Sequence, residues 1–234
     1  DASTTIAINA GITTIGTGTV DIDSSGVTTI AAAGDIIAAG AVTFGAALAG
    51  PLTTAGDIDT SDDNVTFTNA VTLSGAVDID TVGTAAGNIL FSSTIATGAN
   101  DLALDAGAAG NITLGGDLTG TGNVTVRDGA IQSYQALTLN SLNIVDATTS
   151  VTLGGAVTAT SSVDINSGGS IVQDGAIVSA TTVNYDASTT IAINAGITNS
   201  GTVNIDSSTG AVVMSSGALI NADSGTIDID ADGD

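Results

Sequence analysis

The chain has 234 residues, a net charge of −23 and a narrow alphabet: no Cys, His, Trp, Glu or Lys, one Pro, one Met, and Arg127 as its single basic residue. That charge excludes nucleic-acid binding, which uses Lys and Arg to displace counterions from phosphates, and helical domains and most catalysis lack their usual residues here. Acidic disorder is excluded as well, because 43% of the residues are hydrophobic and the mean hydropathy is +0.46, well above what a disordered acidic chain carries.

In chain order the pattern is short strands punctuated by turn residues. Residues 1–13 read DASTTIAINAGIT, and 18–23 read Gly-Thr-Val-Asp-Ile-Asp. Next come Val42-Thr43-Phe44, Val65-Thr66-Phe67 and Val71-Thr72-Leu73, each an apolar-polar-apolar alternation with one face to bury. Gly75-Ala-Val-Asp-Ile-Asp80 repeats the earlier acidic motif. Ile112-Thr113-Leu114, Leu137-Thr138-Leu139 and Val151-Thr152-Leu153 continue the alternation. Looser copies of the acidic motif stand at 123–126, 163–166 and 183–186, and closer ones at 201–206 and 225–230. Gly, Asn, Asp or Ser flanks nearly every segment. No apolar run is long enough to span a bilayer, and no charged leader precedes an apolar stretch.

Spacing selects the architecture. From Val163 to Val183 and from Val183 to Val203 is 20 residues each, and from Val203 to Ile227 is 24. The gaps of 57, 47 and 39 separating Val20, Val77, Val124 and Val163 read as three, two and two such units with inserted residues. Near-identical segments at a fixed period predict a coil in which each turn repeats the last. The expected fold is all-β: a right-handed parallel β-helix (β-solenoid) of about 20 residues per turn and roughly 12 turns, with Val, Ile, Leu and Ala inside and Thr, Ser, Asp and Asn outside. A longer repeat lies over this one, because residues 1–13 return unchanged at 186–198. The chain is therefore read as one continuous solenoid over 1–234, a window of a longer repetitive protein. All 24 acids are Asp, the acid that suits turns and bonds to nearby backbone.

Gly168-Gly-Ser-Ile-Val-Gln-Asp-Gly-Ala-Ile177, followed by Val183-Asn-Tyr185 and Ile191-Ala-Ile193, resembles the degenerate repeats of filamentous-haemagglutinin-type adhesins; Asp128-Gly-Ala-Ile131 with Leu137-Thr-Leu139 is a second copy. The resemblance implies a right-handed β-helix secreted across the outer membrane and displayed as a fibre on the bacterial surface. Expected partners are further repeats, through self-association or end-to-end continuation, and a host or neighbouring-cell surface, with no nucleic acid and no membrane span. The alternative expectation is a Ca²⁺-dependent sheath, matrix or surface-layer polymer. Polysaccharide lyases also use parallel β-helices, but normally need a Lys or Arg base.

The sharpest candidate site is Asp228, Asp230, Asp232 and Asp234, whose D-x-D-x-D-G spacing matches the first half of a calcium loop but lacks the closing Glu. The same residues also read as an outward strand running into an Asp232-Gly233 turn, and the sequence leaves both open. Asp21/Asp23, Asp57/Asp59, Asp78/Asp80 and the run Asp62-Asp63 would stack carboxylates about 4.8 Å apart wherever successive turns align, which invites Ca²⁺ bridging or simple solvation. Arg127 is expected to neutralise a nearby acid such as Asp128. The five Phe and Tyr are expected to fill the core or stand outward as scattered residues, and Thr-x-Thr at 17–19, 66–68 and 158–160 looks too irregular for an ice-binding array.

Overall fold

The computed structural model of the protein describes residues 4–83, 87–179 and 181–232. Among these there are 32 strands and no helix. One turn shows how sequence becomes structure. Val65–Phe67, Val71–Leu73 and Val77–Asp80 are short strands joined by three-residue corners. In each, the outer apolar residues are buried and the central residue faces out, as period-2 alternation requires. Asn69, Ser74 and Gly75 occupy the corners, as turn-forming residues do.

The next turn, Ile89–Phe91, Ile95–Gly98 and Leu102–Asp105, lies in parallel register on the first: Val65 opposite Ile89, Val71 opposite Ile95, Val77 opposite Leu102. Continued along the chain, this builds three parallel sheets. The first has 11 strands, from Ile6–Ile8 to Ile220–Asn221; the second has 11, from Ile12–Thr13 to Ile227–Ala231; the third has 10, from Val20–Ser24 to Val212–Met214. The result is a β-solenoid of about 10 turns with about 21 residues each. The sequence count of 12 rested on the 20-residue spacing near the C-terminus. Earlier turns are longer, with 24 residues from Val65 to Ile89 against 19 from Gln132 to Val151.

The register also corrects one motif. Val77, Val124, Val163, Val183, Val203 and Ile227 fall in one inward column of the second sheet. Val20 does not join them, because Val20–Ser24 belongs to the third sheet and pairs with Val42–Ala49. The 57-residue gap is therefore not a whole number of turns. The 13-residue repeat behaves likewise. Its Ile-Ala-Ile segment is Ile6–Ile8 of the first sheet in one copy and Ile191–Ile193 of the third in the other. Identical sequence thus occupies two different sides of the solenoid.

Ladders of Ile, Val and Leu fill the interior, nearly all excluded from solvent. The aromatics are not scattered. Phe44, Phe67 and Phe91 stand on consecutive turns of the third sheet with their rings stacked, centroids 5.0 Å and then 4.3 Å apart. Tyr134 and Tyr185 are fully buried, and their hydroxyls donate to buried glutamines: Tyr134 Oη to Gln132 Oε1 at 2.8 Å and Tyr185 Oη to Gln173 Oε1 at 3.4 Å. Burial raises both phenols well above their ordinary pKa. Gln132 Nε2 is satisfied in turn by the carbonyls of Asp146 (2.8 Å) and Gly129 (3.3 Å), so the pair leaves little polar demand in the core.

The corners explain the Asp-Gly element of the repeat. A Cβ on Gly175 would lie 1.9 Å from the carbonyl oxygen of Gly155, one turn below, so the backbones meet where only glycine fits. Asp62 adopts φ 72° at another corner, a left-handed conformation that Asp tolerates better than most residues.

Candidate functional site: an acidic sheet beside an uncharged one

The three sheets differ sharply in charge. Of the Asp residues that lie in strands, ten are in the second sheet, two (Asp21 and Asp23) in the third, and none in the first. Two columns of the second sheet collect acids on consecutive turns. Asp57 N–H donates to Asp35 Oδ1 (3.0 Å) and Asp78 N–H to Asp57 Oδ1 (2.8 Å), each carboxylate reaching the backbone of the next turn. Beside them Asp59, Asp80 and Asp105 are register partners, as are Asp186, Asp206 and Asp230 nearer the C-terminus. The pairs Asp57/Asp59 and Asp78/Asp80 therefore stack on one another. Asp21 and Asp23 stand apart in the third sheet, with Asp23 buried.

Asparagine does the same work without charge. Asn64, Asn88 and Asn111 form a corner ladder in which Asn88 N–H donates to Asn64 Oδ1 at 2.8 Å and Asn111 N–H to Asn88 Oδ1 at 2.9 Å. On the second sheet, Asn184 Nδ2 donates to Asp164 Oδ1 and Asn204 Nδ2 to Asn184 Oδ1, both at 2.8 Å. A carboxylate or amide carried directly on Cβ matches the rise of about 4.8 Å between turns. Glu would overshoot, which accounts physically for an acidic chain without it.

Four of the acids on this sheet, Asp59, Asp105, Asp128 and Asp206, hold their protons more tightly than a free Asp. Asp59 is raised above the ordinary 3.8, first by burial and then by the charges of Asp80 and Asp78. Burial also leads at Asp105, where Asp80 and Asp128 add to the rise while the Gly107 N–H and Arg127 oppose it. Asp128 is raised by burial and by Asp146, against a bond from the Gly129 N–H. Asp206 is raised by desolvation on the sheet and by Asp186, Asp230, Asp232 and Asp228.

Arg127 does not pair with its chain neighbour Asp128. Its Nη2 donates to Asp78 Oδ2 two turns back, and its Nη1 lies 3.9 Å from Asp105 Oδ2. The side chain runs along the rod, whereas Asp128, next in the strand, is the register partner of Asp105 across a bulge. Hydrogen bonding to Asp78 raises the guanidinium pKa further.

The four-Asp candidate is laid out in extended form. Asp228 and Asp230 lie in the strand Ile227–Ala231, opposite Asn204 and Asp206. Asp232 N–H donates to the carbonyl of Ser207 at 3.0 Å, and Asp234 lies outside the described residues. Alternate carboxylates of an extended strand are about 7 Å apart, too far to converge as a loop would bring them. The nearest acidic neighbours lie across turns, as Asp230 does with Asp206. Among the described residues, no group of three or more His, Cys, Asp or Glu is placed to hold a metal ion. Two shallow grooves mark this sheet, one of about 270 Å³ beside Asp57, Asp78 and Asp101, the other of about 300 Å³ beside Asn143, Asp164, Asn184 and Asp186.

The fold and this surface define a parallel β-solenoid repeat protein. No family model matches the chain, and neither does any curated protein or solved structure. No helix among the described residues is long and apolar enough to cross a membrane.

Proposed function

We propose that this chain is a structural or adhesive fibre segment displayed outside a bacterial cell, acting through length, stiffness and surface rather than catalysis. The observation that carries the reading is continuity: three parallel sheets and one apolar core run the length of the described chain. The absence of His, Cys and Lys from the sequence supports a non-catalytic role, and so does the resemblance of Gly168–Ile177 to the repeats of filamentous-haemagglutinin-type adhesins. Gold-labelled antibody against the chain, applied to intact cells of the source organism, should decorate external filaments or the outer surface. Label confined to the cell interior would overturn the reading.

The aligned carboxylates of the second sheet favour a second reading, a sheath, matrix or surface-layer polymer tightened by Ca²⁺ between turns or between fibres. Asp228, Asp230 and Asp232 would take part, Asp230 through its cross-turn neighbour Asp206. Thermal unfolding in millimolar Ca²⁺ and then in excess chelator tests it: a rise of many degrees with Ca²⁺ supports the cation-dependent polymer, and equal midpoints reject it.

A further inference from the structure

We infer that the outward face of the first sheet is where two copies of this chain lie side by side. This rests on the rod geometry behind the fibre reading but not on where the rod is displayed, so the labelling experiment can fail while this inference stands.

Each first-sheet strand turns one residue outward at its centre, and register aligns these residues into a single row along the rod. Thr72, Ala96, Thr119, Thr138, Thr158 and Val178 are successive members. No member of the row is charged, and none of the 11 strands contains an Asp. On the second sheet the outward amides and carboxylates bond to one another from turn to turn. Among the described residues, Thr119, Thr138 and Thr158 are exposed and their hydroxyls have no hydrogen-bond partner.

Charge rules out the second sheet, and the third shows an exposed carboxylate, Asp21, at its first strand, whereas the first sheet shows none. Each copy carries −23, and juxtaposing two second sheets would oppose their rows of carboxylates. First sheets meet without a charge at their centres. Acids occur only at the rims, with exposed Asp57 and Asp101 along one edge and Asp117 and Asp174 along the other. The rims make the contact salt-dependent in a diagnostic direction. Added salt screens their repulsion over a Debye length of about 8 Å at physiological strength, so association strengthens as salt rises. A cationic partner on the acidic sheet would show the opposite trend.

The geometry matches itself. Both rows repeat at about 4.8 Å, and sheets pack face to face at about 10 Å, a separation that small β-branched side chains fill. Eleven strands give a face roughly 50 Å long and, at three residues per strand, about 10 Å wide, hence about 1,000 Å² buried between two copies. That is the lower limit for a specific interface, so a single segment should pair reversibly and longer arrays more firmly.

Sedimentation equilibrium of the chain over a range of concentration and salt tests the inference. Wild type should show a monomer–dimer equilibrium that strengthens with salt. The variant Thr119→Asp/Thr138→Asp/Thr158→Asp should dimerise at least about 100-fold more weakly, because it forces carboxylates into the contact. Thr13→Asp/Ile37→Asp/Thr125→Asp adds the same charge on the second sheet and should dimerise as wild type does. Should the first variant fold poorly, single cysteines serve instead, since the natural chain has none. Thr119→Cys, at the middle strand of the row, should oxidise to a disulfide dimer much faster than Thr125→Cys. A wild type that stays monomeric throughout would overturn the inference. Equal dimerisation by the first-sheet variant, or equal oxidation at the two cysteines, would overturn it too.

Discussion

Phe67 offers the most direct test of how the interior is held. It is almost fully buried and stacks on Phe44 at 5.0 Å and on Phe91 at 4.3 Å, with interplanar angles of 2° and 9°. Truncating a buried Phe to Ala costs about 3–5 kcal/mol, and each stacked pair adds about 0.5–1.5 kcal/mol beyond area burial. Phe67→Ala loses two such pairs and Phe44→Ala only one, so the first should cost about 5 kcal/mol and the second about 1 kcal/mol less. Each turn contacts only its neighbours, and solenoid stability is roughly a sum of local terms. The loss should therefore appear locally. Native-state hydrogen exchange reads it turn by turn: amides at Thr66 and Leu90 should lose protection while those at Val183 and Val203 keep theirs. Equal costs at Phe67 and Phe44, or equal loss of protection at Val183, would refute the reasoning.

Tyr134→Phe removes the donor to Gln132 Oε1 and leaves that buried acceptor unpaired, which should cost about 1–3 kcal/mol in denaturant unfolding. Asn184→Asp replaces an amide that donates to Asp164 Oδ1 with a second carboxylate about 4.8 Å from the first; the cost should be about 1–3 kcal/mol and shrink as salt is added. Stability should also rise on mild acidification. Asp59, Asp105, Asp128 and Asp206 have folded-state pKa values above 3.8, so over the interval between 3.8 and those values the folded state binds more protons than the unfolded chain. Their contribution is fully present below 3.8 and lost as pH rises through the raised values. The melting temperature should climb as pH falls from neutral toward 3.8, and a steady fall over that range would contradict the assignment.

Much of this fold was legible because alternation and a recurrent motif survive in so restricted an alphabet. Six of the seven acidic-motif valines and isoleucines align in one column, and every apolar-Thr-apolar triplet is a strand with its ends buried. What escaped is the side on which each strand falls. That depends on corner length, and the corner between the second and third sheets varies from two residues after Asp128 to eight after Asp80. The Phe ladder, the Thr row and the separation of charge are products of register, so no local motif announces them. Ile131 shows the same limit at a single residue. It shares its place in Asp-Gly-Ala-Ile with Ile177, which is fully buried, yet it is half exposed, and Gln132 takes the core position opposite Val151. The two copies of the motif turn different corners, Ile131 opening a third-sheet strand and Ile177 a first-sheet one.

The placement of the 13-residue repeat on two different sides has a consequence for how such a chain can change. Three strands to a turn act as a reading frame. From Ile6–Ile8 to Ile191–Ile193 is 26 strands, which is not a multiple of three, so the second copy is read out of phase with the first. Both copies nevertheless fold, because any side accepts an apolar-polar-apolar strand. Gaining or losing one strand and its corner would rotate everything downstream by a third of a turn and leave the core intact. Such a frameshift would move the acids to another side, altering the surface that neighbours meet without altering the body that carries it.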